Sequence, residues 1–550
     1  MDERGRVTRA AGVVGFFTLL SRLMGLLRDI VIAFLFGAHG TADAFFVAFR
    51  IPNLLRRLTA EGALTAGFVP IFTDYLSRQG KEEAMRFARV VTTFAVVFLG
   101  ALTILGIFLA APITYLFAPG FLAEEGKFTF TVYLTRLMFP YILFVSLVAL
   151  AMGFLNSMCH FMAPALSPIL LNLSMVVCAL LISPFLSEPA VSLAYGVLLG
   201  GVAQLVLQIP FLRRYGFSFS FDFGFGHPAL GRLLALMGPA LVGAAVYQIN
   251  VLVGTMLASV LQEGSVASLY YADRLLQFPL GIFAVALATA ALPTFSSLAA
   301  REDFKGLRDV LSYSLRLVNF ISLPATFGLM VVSVPVFSIL FQRGAFDTDA
   351  TLRAARALVY FSIGLWGMSG TRVGVAAFHA MKDMKTPVKV AFCSFVLNFL
   401  LSLVLMGEVS ADPASSGLTH AIAALSSSLG FFSLSYAGLA LANSISSTFN
   451  FFALLLILYY RLGQLPWTEL IVSFVRNLFS AMLMAFPLLW IVGRVDWVGP
   501  ERILWLNGVW LLLILVLGPL IYLGSSFLLK SPERGILRQL GAQLRQRTAR

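Results

Sequence analysis

The chain has 550 residues, 59% of them apolar and only 12% charged, with a mean hydropathy of +0.90. Soluble domains carry about 25% charged residues, so this composition excludes a water-soluble globular protein and makes lipid the solvent. The formal charge of +13 does not read as a nucleic-acid surface, because the basic residues gather in a C-terminal tail and in short loops between apolar runs.

Basic residues precede the first apolar run, as in a signal peptide, but Arg22, Arg28 and Asp29 interrupt it, so it reads as a retained first span. Further apolar runs long enough to cross a bilayer follow that first one at 10–37. They lie at 41–76, 86–118, 128–157, 163–186, 189–212, 229–262 and 265–299, then at 308–342, 350–380, 386–407, 434–460, 468–493 and 503–529. Fourteen spans put both termini on one side. That side holds 23 Lys and Arg, among them Arg78, Lys81, Arg213, Arg214, Lys385 and Arg461 in its loops and six in the tail from Lys530 to Arg550. The opposite loops hold about four: Lys127, Arg343, Arg494 and Arg502. This bias makes the termini cytoplasmic. Cys159, Cys178 and Cys393 have no metal or disulfide spacing.

The halves superpose at one offset of 223 residues. Pro70 falls on Pro293, Pro164 on Pro387, Met158 on Met381 and Gly15 on Gly238, and GALTAGFVPIF at 62–72 aligns with VALATAALPTF at 285–295. Prolines persist at helix breaks for a backbone reason. The register fades in a Ser-rich stretch at 407–433. The expected organisation is an N-lobe at 1–223, a C-lobe at 224–462, a two-helix appendix at 463–529 and a basic cytoplasmic tail at 530–550. Two repeats of even helix number share one topology, which is the plan of transporters that bind substrate between lobes. It is less readily the plan of a scaffold with such short loops.

Charges sit inside the apolar runs: Arg22, Arg28 and Asp29 in the first, Asp43, Arg50, Arg56, Arg57 and Glu61 in the second, and Asp273 and Arg274 in the eighth. A mid-membrane Arg costs about 2.5–3.5 kcal/mol even on a lenient scale. Such groups line a cavity, pair with acids or snorkel. Arg50 and Arg57 have ordinary pairing partners in Asp43 and Glu61, and Asp29 is placed to neutralise Arg28. At the repeat offset, however, Arg22 falls on Ala245, Arg28 on Val251 and Asp43 on Val266. The first half is therefore the more charged one, and arginine forks suit phosphate or pyrophosphate.

Residues 21–76, SRLMGLLRDIVIAFLFGAHGTADAFFVAFRIPNLLRRLTAEGALTAGFVPIFTDYL, resemble the first two helices of the MurJ (MviN) lipid II flippases. MAPALSPILLNLSM at 162–175, YYADRLLQFPLG at 270–281 and KTPVK at 385–389 continue the likeness. The resemblance implies an all-α polytopic fold of the multidrug/oligosaccharidyl-lipid/polysaccharide exporter superfamily. That fold has about fourteen helices, a V-shaped central cavity and a groove for a polyprenyl tail along the last two helices. It implies a flippase, not an enzyme, that moves undecaprenyl-pyrophosphate-linked peptidoglycan precursor across a bacterial inner membrane for cell-wall synthesis. The substrate-binding residues it implies are Arg22, Arg28, Arg56, Arg274 and Asp43, with Asp29, Asp273 and Arg372 as weaker candidates. Gln277 stands where some members have Glu, and Gln248 and Asn250, with no acid in 386–407, argue against the sodium site of some members.

No GxxxxGK[ST] loop is present, so ATP is not the direct energy source. No metal or cofactor is expected, and membrane potential is the expected bias. The expected partners are lipid II, membrane lipids and cell-wall or division proteins, with no nucleic acid. Three readings compete. A polyprenyl-phosphate enzyme would need acidic metal ligands, for which only Asp347 and Asp349 lie close in a loop. An O-antigen type flippase shares the pyrophosphate. A cation-drug antiporter would want acids in its cavity.

Overall fold

A computed structural model describes residues 3–57, 65–409, 417–463, 465–499, 502–531, 533 and 535, which are mostly helical, with no strand among them. The chain forms two compact units. The first runs to Ala267 and also takes Arg343–Ala345 and the described part of 411–420; the second holds the rest.

The first unit contains α1 (Glu3–Phe36), α2 (Gly40–Arg56), α3 (Thr65–Arg78), α4 (Lys81–Phe108), α5 (Ala110–Phe117), α6 (Lys127–Met138), α7 (Tyr141–Ser157), α8 (Met162–Leu181), α9 (Val191–Arg214) and α10 (Pro228–Ser259). α8 packs between α1 and α9, and α2 packs on α6. Small residues make the closest approach: a Cβ on Gly196 would lie 2.7 Å from the Met175 backbone, so only glycine lets α9 reach α8, as is common where lipid supplies no hydrophobic drive between helices. α10 rests on α3, α4 and α5, which carries the packing boundary past the repeat boundary at 223 and into the next helix.

That helix is α11 (Ser265–Pro279), followed by α12 (Val285–Ala300), α13 (Phe304–Val331), α14 (Ser333–Leu340), α15 (Thr348–Ile363), α16 (Leu365–Ala380), α17 (Lys385–Met406), α18 (Gly417–Leu429), α19 (Tyr436–Leu462), α20 (Trp467–Val492) and α21 (Leu504–Leu528). In the second unit α19 packs on α15, α16 and α17, and α20 packs on α13 and α21. Leu323, Val331, Met484, Leu488, Leu511 and Ile514 form the core around α20 and α21. Beyond α21, the buried Glu533 carboxylate accepts from the Ser473 and Ser531 hydroxyls and the Asn477 amide at 2.8, 2.6 and 3.2 Å. The tail arginines from Arg534 onward lie outside the described residues.

Each of the fourteen apolar runs folds as helix where it is described, and ten stretches are long and apolar enough to cross a membrane by length and composition. Several runs are two helices rather than one. The run 265–299 carries a π-helical turn, Leu280–Ala284, directly after Pro279, where a proline disrupts the hydrogen-bond ladder. The run 350–380 breaks at Gly364, where a Cβ would lie 2.6 Å from the Ser444 backbone.

The internal repeat is visible in the helix bounds. α4 and α13 are 223 residues apart at both ends, and so are α5 and α14. α8 and α17 share the offset at their starts. The register is lost across the 407–433 stretch, whose described part folds as α18 before α19 begins.

Candidate functional site in the first unit

Arg28 lies on α1 and is only 5% exposed, with Asp29 fully buried beside it. Its Nε and Nη2 donate to Asp29 Oδ1 at 3.0 and 2.6 Å, and its Nη1 donates to Asn172 Oδ1 on α8 at 3.0 Å. The Asn172 amide in turn donates to the Ser21 carbonyl at 3.3 Å. A guanidinium fork suits this task because it holds two acceptors in one plane. The Arg28 charge is therefore balanced by protein, as the adjacent Asp29 allowed.

Arg22 stands apart. It is half-buried on the same helix, about 9 Å from Arg28 along the axis by helical rise, and among the described residues it makes no hydrogen bond or ion pair. Arg56 is half-buried at the end of α2 and donates to Asn53 Oδ1 at 2.8 Å. Arg57 is exposed, and Glu61 lies outside the described residues. Arg50 pairs with the Thr255 hydroxyl on α10 rather than with Asp43.

Asp43 lies at the other end of α2 from Arg56, about 20 Å away by helical rise. It is 1% exposed. Oδ2 accepts from the Gly264 backbone N–H at 2.8 Å and from Lys127 Nζ at 3.4 Å, and Oδ1 accepts from the Ala267 N–H at 2.8 Å. The carboxylate thus caps the start of α11 from another helix, satisfying N–H groups that have no partner within it. Lys127 also binds Glu124 at 2.8 Å and lies 4.2 Å from the centre of the Phe121 ring. In return, Glu263 Oε1 accepts at 2.5 Å from the N–H of Gly40, the first residue of α2. Asp43 therefore holds two helix starts together and is not grouped with Arg22 or Arg56.

In the second unit Arg274 is half-buried on α11 beside Asp273. The Gln277 amide donates to Asp273 Oδ1 at 3.3 Å, a role a glutamate there would exchange for repulsion at this spacing. Arg372 on α16 is exposed and makes no hydrogen bond or ion pair among the described residues. Asp347 caps α15 through the Ala350 N–H at 2.7 Å, and Asp349 pairs with Arg353 at 2.5 Å. Both acids have structural tasks.

Sequence reasoning missed Lys127, Asn172 and Thr255. Lys127 had a signal: it is one of few basic residues on a side otherwise poor in them. Asn172 and Thr255 are ordinary polar residues of apolar helices, and only the fold brings them to an arginine.

A helical membrane protein made of two repeats, with arginines retained in its first unit, has the plan of polytopic transporters. Its fold is shared with an inward-facing multidrug resistance MATE family transporter of the MOP superfamily, at a TM-score of 0.65 and 14% identity over 82% of this chain and 98% of that one. The family model for the lipid II flippase MurJ matches residues 32–505, and the chain belongs to that family. Relatives include a probable lipid II flippase MurJ of Vibrio cholerae, 35% identical over 92% of this chain and 93% of its own length. Another is the lipid II flippase MurJ of Burkholderia cenocepacia, 34% identical over 89% and 91%. A solved lipid II flippase MurJ in an inward closed conformation aligns at a TM-score of 0.73 and 25% identity, over 95% of this chain and 99% of that one.

Proposed function

We propose that this chain carries lipid II from the cytoplasmic to the periplasmic leaflet of a bacterial inner membrane by alternating access, with both termini in the cytoplasm. Family membership supports the substrate. The observation that carries the mechanism is Arg22, a half-buried guanidinium within a membrane span with no protein partner among the described residues. A cation kept in that position has a use when a pyrophosphate arrives, because its donors are ready for phosphate oxygens. Arg56 and Arg274 are the further candidates for the headgroup. Arg28 and Asp29 hold α1 against α8, and Asp43 holds the α10–α11 turn. The polyprenyl tail stays in lipid along α20 and α21. The step is transport without bond chemistry and uses no resident metal or cofactor. An inside-negative potential biases it at about 2.3 kcal/mol per charge per 100 mV. Cell-wall or division proteins are the partners to which the product is delivered.

The test is complementation in a bacterium depleted of its own lipid II flippase, scoring lipid II exposed on the outer leaflet. Wild type restores exposure, and Arg22→Ala at equal abundance does not. A wild type that inserts and restores nothing overturns lipid II as substrate and moves an O-antigen type polyprenyl-pyrophosphate glycan to the front. An active Arg22→Ala overturns the role of that arginine.

A further inference from the structure

Between α9 and α10 the sequence reads FSFSFDFGF from Phe217 to Phe225. The segment is neither helix nor strand. Its alternate residues nevertheless face one way: Phe219, Phe221 and Phe223 are 60, 59 and 65% exposed, and Phe225 is 41% exposed. Their rings form a ladder with centroid spacings of 5.7, 6.0 and 5.9 Å. Four phenylalanines side by side form a larger exposed apolar patch than a water-facing loop keeps.

The other side of the segment is fastened to α4. The Asp222 N–H donates to Thr93 Oγ1 at 2.9 Å, and the Asp222 carboxylate lies 3.8 Å from Arg86. Asp222 also accepts from the Gly224 N–H at 3.0 Å, and the Phe225 ring meets Phe94 edge-on at 5.9 Å. The outward direction of the stripe is thus built into the fold.

Its depth follows from α4. That helix has 28 residues, about 42 Å by helical rise, against a hydrocarbon layer of about 30 Å. The charges of α4 all lie at its start, from Lys81 to Arg89, which puts the surplus and the hydrocarbon boundary there, and the segment touches α4 between Arg86 and Phe94. Among the described residues no hydrogen bond engages the N–H groups of 218–221. Such backbone needs water or headgroups, so it belongs at the interface and not in the apolar core. The exposed side chains of Lys81, Arg86, Arg213 and Arg214 flank the segment, and Lys81 Nζ approaches Gly216. Aromatic rings beside basic residues are the composition of an interfacial anchor on an anionic leaflet.

We propose that Phe219, Phe221 and Phe223 form a membrane-interface anchor that dips into the cytoplasmic leaflet and holds the link between α9 and α10 on the lipid surface. Its partner is anionic phospholipid, not another protein.

The experiment replaces one residue at a time with a photoreactive phenylalanine analogue in the full-length chain. The variants are Phe221→p-benzoylphenylalanine, Phe219→p-benzoylphenylalanine and, as solvent control, Gln79→p-benzoylphenylalanine in the exposed turn before α4. Each is reconstituted in nanodiscs of phosphatidylethanolamine and phosphatidylglycerol, irradiated and weighed intact. The expected result is phospholipid adduct at 219 and 221 in several-fold excess over position 79. Equal adduct at all three positions, or cross-links at 219 and 221 that run to protein, overturns the proposal. Because the analogue keeps the phenylalanine framework at exposed positions, two independent sites guard against a variant that fails to fold.

Discussion

Arg22 and Arg28 sit six residues apart on one helix, and their surroundings make their substitutions mean different things. Arg28→Ala leaves Asp29 buried without its fork, a change on the order of 3–5 kcal/mol. Arg28→Ala is therefore expected to lose both activity and thermal stability in detergent, whereas Arg22→Ala loses activity at an unchanged melting temperature. The pair Arg28→Ala with Asp29→Asn recovers part of the stability but not the α1–α8 contact through Asn172. Equal melting of Arg28→Ala and wild type would remove the structural role assigned to Arg28. Asp43→Ala strips an acceptor from two backbone N–H groups and from Lys127, so a loss of about 3 kcal/mol is expected, read as a lower unfolding midpoint. The sequence made these charges conspicuous by placing them where lipid should be. It also offered Asp29 as the neighbour that neutralises Arg28. It could not say that Asp43 reaches the start of α11, because that contact joins residues more than two hundred apart.

At the scale of single helices, close backbone approach decides the packing. Gly364→Ala drives a methyl group into the Ser444 backbone where α16 meets α19, and overpacking of this kind destabilises by about 1–3 kcal/mol. The same substitution at Gly12, which lies inside α1 and has nothing within 4 Å, carries no such cost, because alanine is the better helix former. Both variants are compared by thermal unfolding in one detergent. The α16–α17 turn carries a pH-dependent tie. Hydrogen bonding from the Thr386 hydroxyl, aided by the Thr386 N–H and Arg461, holds the Asp383 carboxyl down at about 2. Because the folded value lies below the ordinary one, the tie is fully present at neutral pH and is lost as pH falls from about 4 through about 2. Asp383→Asn removes the tie, so its stability at neutral pH falls toward the acid value of wild type and its profile is flat across that window, with a modest amplitude because the Arg461 partner is partly exposed. Apolar runs and their order were readable from composition alone. Their division into paired helices was not, since Gly364 and Pro279 break a helix only when a neighbour or a lost N–H makes the break favourable.

For the whole molecule, the duplication is the most legible feature. An offset inferred from a few prolines reappears in the bounds of α4, α5 and α8 and their counterparts, because helix breaks require particular residues and so keep their places. Packing followed a different line: α10 belongs to the second repeat by sequence yet rests in the first unit, a consequence of tertiary contacts that no periodicity encodes. If potential drives transport of an anion, dissipating it with an ionophore slows lipid II exposure in the complemented cells without lowering the amount of protein. Unchanged exposure would assign the drive to the substrate gradient or to a coupled ion.

The two turns that cap one another occupy equivalent places in the duplicated sequence: Gly40 and Glu263 are 223 residues apart, and Asp43 meets Gly264 across the same junction. While either cap stands, the other re-forms at high effective concentration. Letting go is therefore all-or-none, and each turn serves as witness to the other's state. Neutralising either acid alone therefore weakens the junction by more than one hydrogen bond's worth, because it also removes the hold that lets the other cap re-form.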